Sequence, residues 1–150
     1  MRMLISLLPF VLAVAIAATT GAQYATGEWY AGLNKPWWTP PDWLFPIAWT
    51  VLYLMIAAAG WLAWKAGGVS LAVAIWAAGL VLNALWSYVM FGRHEIGWAL
   101  IIVAGLWLSI ALFMWTAWPL DRRATWLFAP YLVWVSFASA LNAAVYVLNR

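Results

Sequence analysis

Five long stretches without a charged residue, 3–27, 43–64, 66–92, 96–120 and 124–149, leave this chain few ways to fold. Each meets the requirement of roughly 20 apolar residues for crossing a ~30 Å hydrocarbon layer. Only 7% of the residues are charged and 69% are hydrophobic, against about 25% charged in a soluble domain. Such a chain cannot cover itself with a polar surface. In lipid the backbone must satisfy its own hydrogen bonds, which helices do and open loops do not. The alternating ten-residue strands of a membrane barrel are absent from the sequence. The expectation is an all-α integral membrane protein, a single five-helix bundle spanning residues 1–150.

The breaks between the runs place the elements. Helices are expected at about 4–22, 42–64, 71–91, 96–118 and 122–148, with Pro46 tolerated in the first turns of the second. A long loop, 23–41, joins the first two; the other connections are a few residues long. Short connections make consecutive helices antiparallel neighbours. No internal repeat supports a two-fold transporter architecture. Arg2, an apolar stretch and the small-x-small pattern Ala15–Ile16–Ala17 also fit a secretory signal peptide. Its cleavage would leave four helices, but the run is long enough to span and is read as the first. Arg2, Lys65, Arg122 and Arg123 fall on one side of such a bundle, and Lys35, Arg93 and Arg150 on the other. That tally favours a cytoplasmic N terminus.

Several function classes fall away. The chain has no cysteine and one histidine, which excludes disulfides and thiolate chemistry and makes a protein-built metal site improbable. His94 lies in a tight turn between Arg93 and Glu95 and reads as an exposed turn residue. The four acidic residues are dispersed among loops, so no paired-carboxylate site is visible. Ser87 and Ser136 lack an evident base. No ionisable residue lies deep in a span, which argues against a proton pump or ion carrier. The net charge of +3 is spread among loops and forms no basic patch for nucleic acid.

Aromatic and amide residues remain. Residues 29–49 hold five of the 15 tryptophans and four of the seven prolines. Trp61, Trp64, Trp115, Trp118 and Trp126 fall at helix ends, where interfacial anchoring accounts for them. Trp49, Trp76, Trp86, Trp107 and Trp134 lie inside spans, where an indole needs a partner for its N–H. Trp49 and Tyr53 share one face of the second helix; Tyr131, Trp134 and Ala138 share one face of the fifth. Asn83 with Ser87, and Asn142 near Ser136 and Ser139, serve either as interhelical hydrogen bonds or as ligand contacts. Thr19 and Thr20 are read the same way. Walls of indole and phenol, a few amides and one lysine suit a large, flat, mostly apolar ligand such as a sterol or tetrapyrrole. A carboxylate on it would meet Lys35. The spans hold no histidine, which argues against tight axial ligation of haem iron.

The run Trp29–Tyr30–Ala31–Gly32–Leu33–Asn34–Lys35–Pro36, followed by Trp38, Pro40–Pro41 and Trp43, resembles the first loop of the translocator protein family. The members of that family are also called tryptophan-rich sensory proteins or peripheral-type benzodiazepine receptors. The likeness continues through Trp49 and Tyr53, Leu82–Asn83 with Trp86, Phe91–Gly92, Gly97–Trp98–Ala99, Pro130–Tyr131–Leu132 with Trp134, and Leu141–Asn142. Thr19–Thr20–Gly21 is similar to the end of the first helix in bacterial members. The resemblance spans essentially the whole chain. It implies a multi-pass protein of a bacterial membrane, a homodimer, with a ligand pocket closed by the first loop. It implies a porphyrin ligand, protoporphyrin IX or haem, with no tightly bound cofactor and a sensing or regulatory role in tetrapyrrole and stress responses. Light-dependent breakdown of the bound porphyrin, with Trp49 and Trp134 taking part, and transport of porphyrin, lipid or sterol are the alternatives. Ligand-binding positions by this resemblance are Tyr30, Lys35, Trp38, Trp49, Tyr53, Asn83, Ser87, Trp134 and Ala138. Ala74 and Ala78 take the place of the small residues at the dimer interface. The family's sterol-recognition pattern has a tyrosine directly after Leu-Asn and an arginine four residues on, where this chain has Ala143 and Val147. That departure counts against sterol binding, although a Leu141–Tyr146–Arg150 pattern survives out of register.

Overall fold

The computed structural model describes the backbone of residues 2–23 and 27–150 and the side chains of 4–22 and 27–150. The expected lid residues 24–26 and the Arg2 side chain lie outside the described residues. The regular elements of the described residues are all helices, without a strand: α1 (Arg2–Ile5), α2 (Leu8–Gln23), α3 (Glu28–Ala31), α4 (Leu44–Gly67), α5 (Leu71–Ser87), a π-helical turn (Tyr88–Gly92), α6 (Ile96–Ala117) and α7 (Arg122–Leu148).

Four helices are long and apolar enough to cross a membrane: α4, α5 with its π turn, α6 and α7. The fifth, α2, has 16 residues and so is ~24 Å long at 1.5 Å per residue. Its apolar run extends further but breaks at Ser6–Leu7. Pro9 has no N–H to give the carbonyl of Ile5, and its ring crowds that carbonyl. The short α1 turn before it extends the same apolar run towards the N terminus.

The spanning helices form a closed ring. α2 packs on α4 and α5, α4 on α7, α7 on α6, and α6 on α5. Consecutive helices are expected to be close neighbours, yet α4 and α5 meet less closely than the other sequential pairs of long helices. In the ring the two flank α2, and the contact they do make runs through Trp76, whose indole lies against Gly60 and donates its Nε1 proton to the Ile56 carbonyl at 2.8 Å.

Three other indoles inside the bundle act the same way. Trp86 Nε1 donates to Asn142 Oδ1 at 3.0 Å, joining α5 to α7. Trp107 Nε1 donates to Ser136 Oγ at 2.8 Å, joining α6 to α7. Trp61 Nε1 donates to Ser6 Oγ at 2.8 Å. Such bonds average about 0.6 kcal/mol between membrane helices, so they align the helices more than they hold them. Close packing of small and branched residues supplies the rest: Ala59, Ala63, Ala99, Leu106, Phe113, Ala117, Ala124 and Val135 are fully buried. Leu12, Ile16, Leu54, Val81, Ile101, Leu108 and Val133 point outward, which suits a lipid-facing surface.

Helix ends follow local chemistry. Ser70 accepts from the Val73 N–H and starts α5. Asp121 accepts from the Arg123 N–H at 2.9 Å and starts α7; the Arg123 guanidinium bonded to it holds its carboxyl below the usual carboxylate range. Gly68, at φ +65°, stops α4 in a conformation that disfavours side chains. α7 runs on through Pro130, leaving the Trp126 carbonyl without its helical donor. The fourth helix ends at Ala117 and the second begins at Leu44, each within two residues of expectation.

The third helix differs in kind. It is α-helical only to Ser87 and then widens, with the Arg93 N–H reaching the Tyr88 carbonyl at 2.9 Å. This wide turn carries Phe91 at the loop end of the bundle, where the site lies.

Candidate functional site

The first loop, the C-terminal ends of α2 and α7, and the turn between α5 and α6 all meet at one end of the ring. The loop is fastened there at three points. Tyr30, 2% exposed, plugs inward with its ring 5.8 Å from that of Phe91 and 6.4 Å from that of Phe45. Trp29 stacks on His94, centroids 4.2 Å apart and planes 6° from parallel. His94 has φ +60°, a left-handed conformation that histidine adopts more readily than most side chains. The lone histidine thus supports the loop. Asn149 then clasps Asn34 from both sides: its Nδ2 donates to the Asn34 carbonyl at 2.8 Å and its Oδ1 accepts the Asn34 N–H at 2.9 Å. Replacing Asn149 with alanine is expected to speed amide exchange across residues 28–41 at least tenfold, because about 1.4 kcal/mol of hydrogen bonding corresponds to that factor. Unchanged exchange by mass spectrometry would show that the clasp does not hold the loop.

Two cavities lie beneath the loop, on either side of one aromatic wall. The wall is Phe45 and Trp49 from α4, Trp86 from α5 and Phe91 from the π turn. Trp49 anchors it, with ring centroids 5.5 Å from Tyr53, 6.4 Å from Trp86, 6.3 Å from Tyr131 and 6.3 Å from Trp134. The larger cavity, ≈ 380 Å³, is a cleft between α2 and α4–α5. Ala18, Gly21 and Ala22 leave room on the α2 side; Asp42, Pro46, Thr50, Tyr53 and Ser87 line the other. That volume falls within the ~300–1,000 Å³ of small-molecule sites. The smaller cavity, ≈ 20 Å³, is lined on its far side by Tyr30, Met90, Trp134, Ala138, Leu141 and Asn142.

The polar atoms divide unevenly between the two. Tyr53 Oη donates to Asn83 Oδ1 at 3.2 Å, and Asn83 Nδ2 donates to Tyr131 Oη at 2.8 Å. Asn83 is 1% exposed and its amide is occupied on both sides. At the smaller cavity the opposite holds. Tyr30 Oη and Trp134 Nε1 are buried and have no hydrogen-bond partner. Burial, with the Asp42 charge adding to it, pushes the Tyr30 hydroxyl up to about 12, so it keeps its proton at physiological pH. Unpaired buried donors are uncommon and cost about 1–3 kcal/mol each.

The expected site residues therefore fall into groups. Tyr30, Trp49, Trp134 and Ala138 meet at the smaller cavity, and Trp49, Tyr53 and Ser87 at the larger cleft. Asn83 sits behind both, holding Tyr53 and Tyr131. Trp38 packs edge-on against Phe137, 5.5 Å between centroids, and lines neither cavity. Lys35 turns back on its own loop: its Nζ donates to the carbonyls of Tyr30, Ala31 and Leu33 at 2.8, 3.3 and 3.3 Å, and lies 4.8 Å from the Tyr30 ring centre. All three ammonium protons are thus matched within the loop, and a ligand carboxylate would have to displace one of these bonds. Ala74 and Ala78 lie exposed on the outer face of α5, open to a second chain or to lipid. Phe45 and Asp42 were not singled out from the sequence, and Phe91 and Gly21 entered only as part of the family likeness, not as site residues. Phe45 stands four residues before Trp49, so helical spacing was the available signal. Nothing in the local pattern marks Asp42 as a site residue. Among the described residues no cluster of three potential metal ligands occurs.

A ring of apolar spanning helices with an aromatic-walled cavity under a fastened loop defines a multi-pass membrane protein. The sequence signature of the TspO/MBR family matches residues 6–148, and this chain belongs to that family. It is 44% identical to a tryptophan-rich sensory protein of Cereibacter sphaeroides over 95% of this chain and 90% of that one. It is 38% identical to the protein CrtK of Rhodobacter capsulatus, covering 93% and 90% of the two chains. The human translocator protein is 33% identical over 94% of this chain and 88% of its own.

Proposed function

We infer that this protein binds a porphyrin-like tetrapyrrole within the membrane and acts as a sensor or regulator, without a tightly held cofactor. The observation that carries this reading is the pair of buried, unpaired donors, Tyr30 Oη and Trp134 Nε1, on two residues that line a cavity walled by aromatic rings. The other buried indoles, those of Trp76 and Trp86, have partners. A donor pair left waiting in an apolar enclosure is matched by a flat apolar ligand that brings hydrogen-bond acceptors. The ligand occupies the cleft and, when the Phe45–Trp49 wall yields, reaches the acceptor-seeking cavity beyond it. The name of the Cereibacter relative, a sensory protein, agrees with a role in reporting that occupancy.

Protoporphyrin IX added to the purified protein is expected to quench tryptophan fluorescence saturably, with one site per chain. Linear, non-saturating quenching would refute a specific site. The occupied state is the signal in this reading, so a second chain at Ala74 and Ala78 is a partner through which it would be passed on.

A further inference from the structure

The larger cleft has a charged side chain in its lining, which the smaller cavity lacks. Asp42 is the one charged side chain among its lining residues, and among the described residues no ion pair joins it to a cation. Lys35, the cation of the same loop, spends its protons on the loop carbonyls. Two hydroxyls of the lining have also spent their protons: Thr50 Oγ1 on the Pro46 carbonyl at 2.6 Å and Tyr53 Oη on Asn83 at 3.2 Å. What these groups offer the cleft is lone pairs and a negative charge. Ser87 adds one more hydroxyl and Trp49 and Trp86 their indoles; the remaining lining, Ala18, Gly21, Ala22, Phe45, Pro46 and Phe91, is apolar.

We propose that the cleft between α2 and α4 selects amphipathic organic cations, an aromatic or apolar body with an ammonium group facing Asp42. Asp42 is the specificity-determining residue. A carboxylate is disfavoured at the Asp42 end, so a tetrapyrrole would enter with its acids directed away from Asp42. This inference rests on the cleft being a ligand site, but not on the ligand being a porphyrin.

The test uses the full-length protein in nanodiscs of uncharged zwitterionic lipid. Three probes share a dansyl fluorophore and differ in the tail: a pentylammonium (dansylcadaverine), an uncharged alkyl and a carboxylate. Energy transfer from tryptophan reads binding. The ammonium probe is expected to bind about fivefold more tightly than the uncharged one, the factor for roughly 1 kcal/mol of partly exposed ion pairing, and the carboxylate about fivefold more weakly. Asp42→Asn should bring the three together, and Asp42→Glu should keep the order. Gly21→Leu, which places a side chain inside the cleft, should weaken all three.

Equal binding of the three probes by the unchanged protein would overturn the proposal. So would an order that survives Asp42→Asn, or binding indifferent to Gly21→Leu in a variant with an unchanged unfolding temperature. Protoporphyrin quenching on the same samples separates the two readings. Loss of saturable porphyrin binding with the charge order intact refutes the porphyrin alone; the converse refutes the selectivity of Asp42 alone.

Discussion

Replacing Gly60 with alanine is expected to cost about 3 kcal/mol of stability, at the upper end for overpacking a well-filled core. An added Cβ would press against the Trp76 ring, 2.6 Å from Nε1 and 2.9 Å from Cδ2. Atoms that close cannot coexist, and the ring has no simple escape, because its Nε1 is tied to the Ile56 carbonyl and it is 6% exposed. Phe10 packs edge-on against it at 5.3 Å. The helices α4 and α5 must therefore separate. Unfolding in mixed detergent measures the loss. Trp76→Leu in the same chain should restore part of it by vacating the volume. Gly21→Ala is the control, since its Cβ would meet Tyr53 Oη at an ordinary 3.5 Å. Full stability in Gly60→Ala would show that the α4–α5 contact is looser than described.

Asn83→Leu is expected to cost about 2 kcal/mol, several times the membrane average for one hydrogen bond, because it leaves two phenols without their shared partner. Asn83 accepts from Tyr53 and donates to Tyr131, and Tyr131 is 2% exposed. The side chain of leucine fills the space but satisfies neither. The asymmetry between losing one partner and removing both gives the check. Adding Tyr131→Phe to Asn83→Leu should recover stability, since the deepest orphan is then gone. A double variant that is additively worse would show that Asn83 contributes by packing alone. The same substitution frees the Tyr53 ring, which lines the cleft, so ligand affinity should fall even where the fold survives.

Much of this architecture can be read from charge spacing. Runs without a charge, each closed by Lys65, Arg93–Glu95 or Asp121–Arg123, locate the four long helices to within a few residues, since burying an ion in hydrocarbon is costly. Local chemistry was less visible where its cause was distributed. Pro9 interrupts the first apolar run, although the run itself looks continuous. The π turn after Ser87 has no sequence signature, because its extra residue is selected by how Phe91 and Tyr88 pack. The site residues Tyr30, Trp49, Trp134 and Ala138 could be matched by resemblance. Which of them would be free could not, because hydrogen-bond bookkeeping needs coordinates. Lys35 illustrates this. A lone lysine in an aromatic loop reads as an anion partner, yet the five-residue reach back to Tyr30 places its ammonium over the carbonyls that end α3. Asp42 was passed over for the converse reason: one acid among loop residues means little until Gly21 and Thr50 are seen to share a cavity with it.

The measurement that bears most directly on the ligand site is protoporphyrin affinity in Trp134→Phe, determined by fluorescence quenching alongside the unfolding temperature of the same protein. Phenylalanine keeps an aromatic wall and deletes the unpaired Nε1–H. If that proton waits for a ligand acceptor, affinity should drop about tenfold, the worth of one good hydrogen bond, while the unfolding temperature stays level or rises because a buried orphan has been removed. Undiminished affinity would contradict the account. So would a loss of affinity that merely tracks a loss of stability.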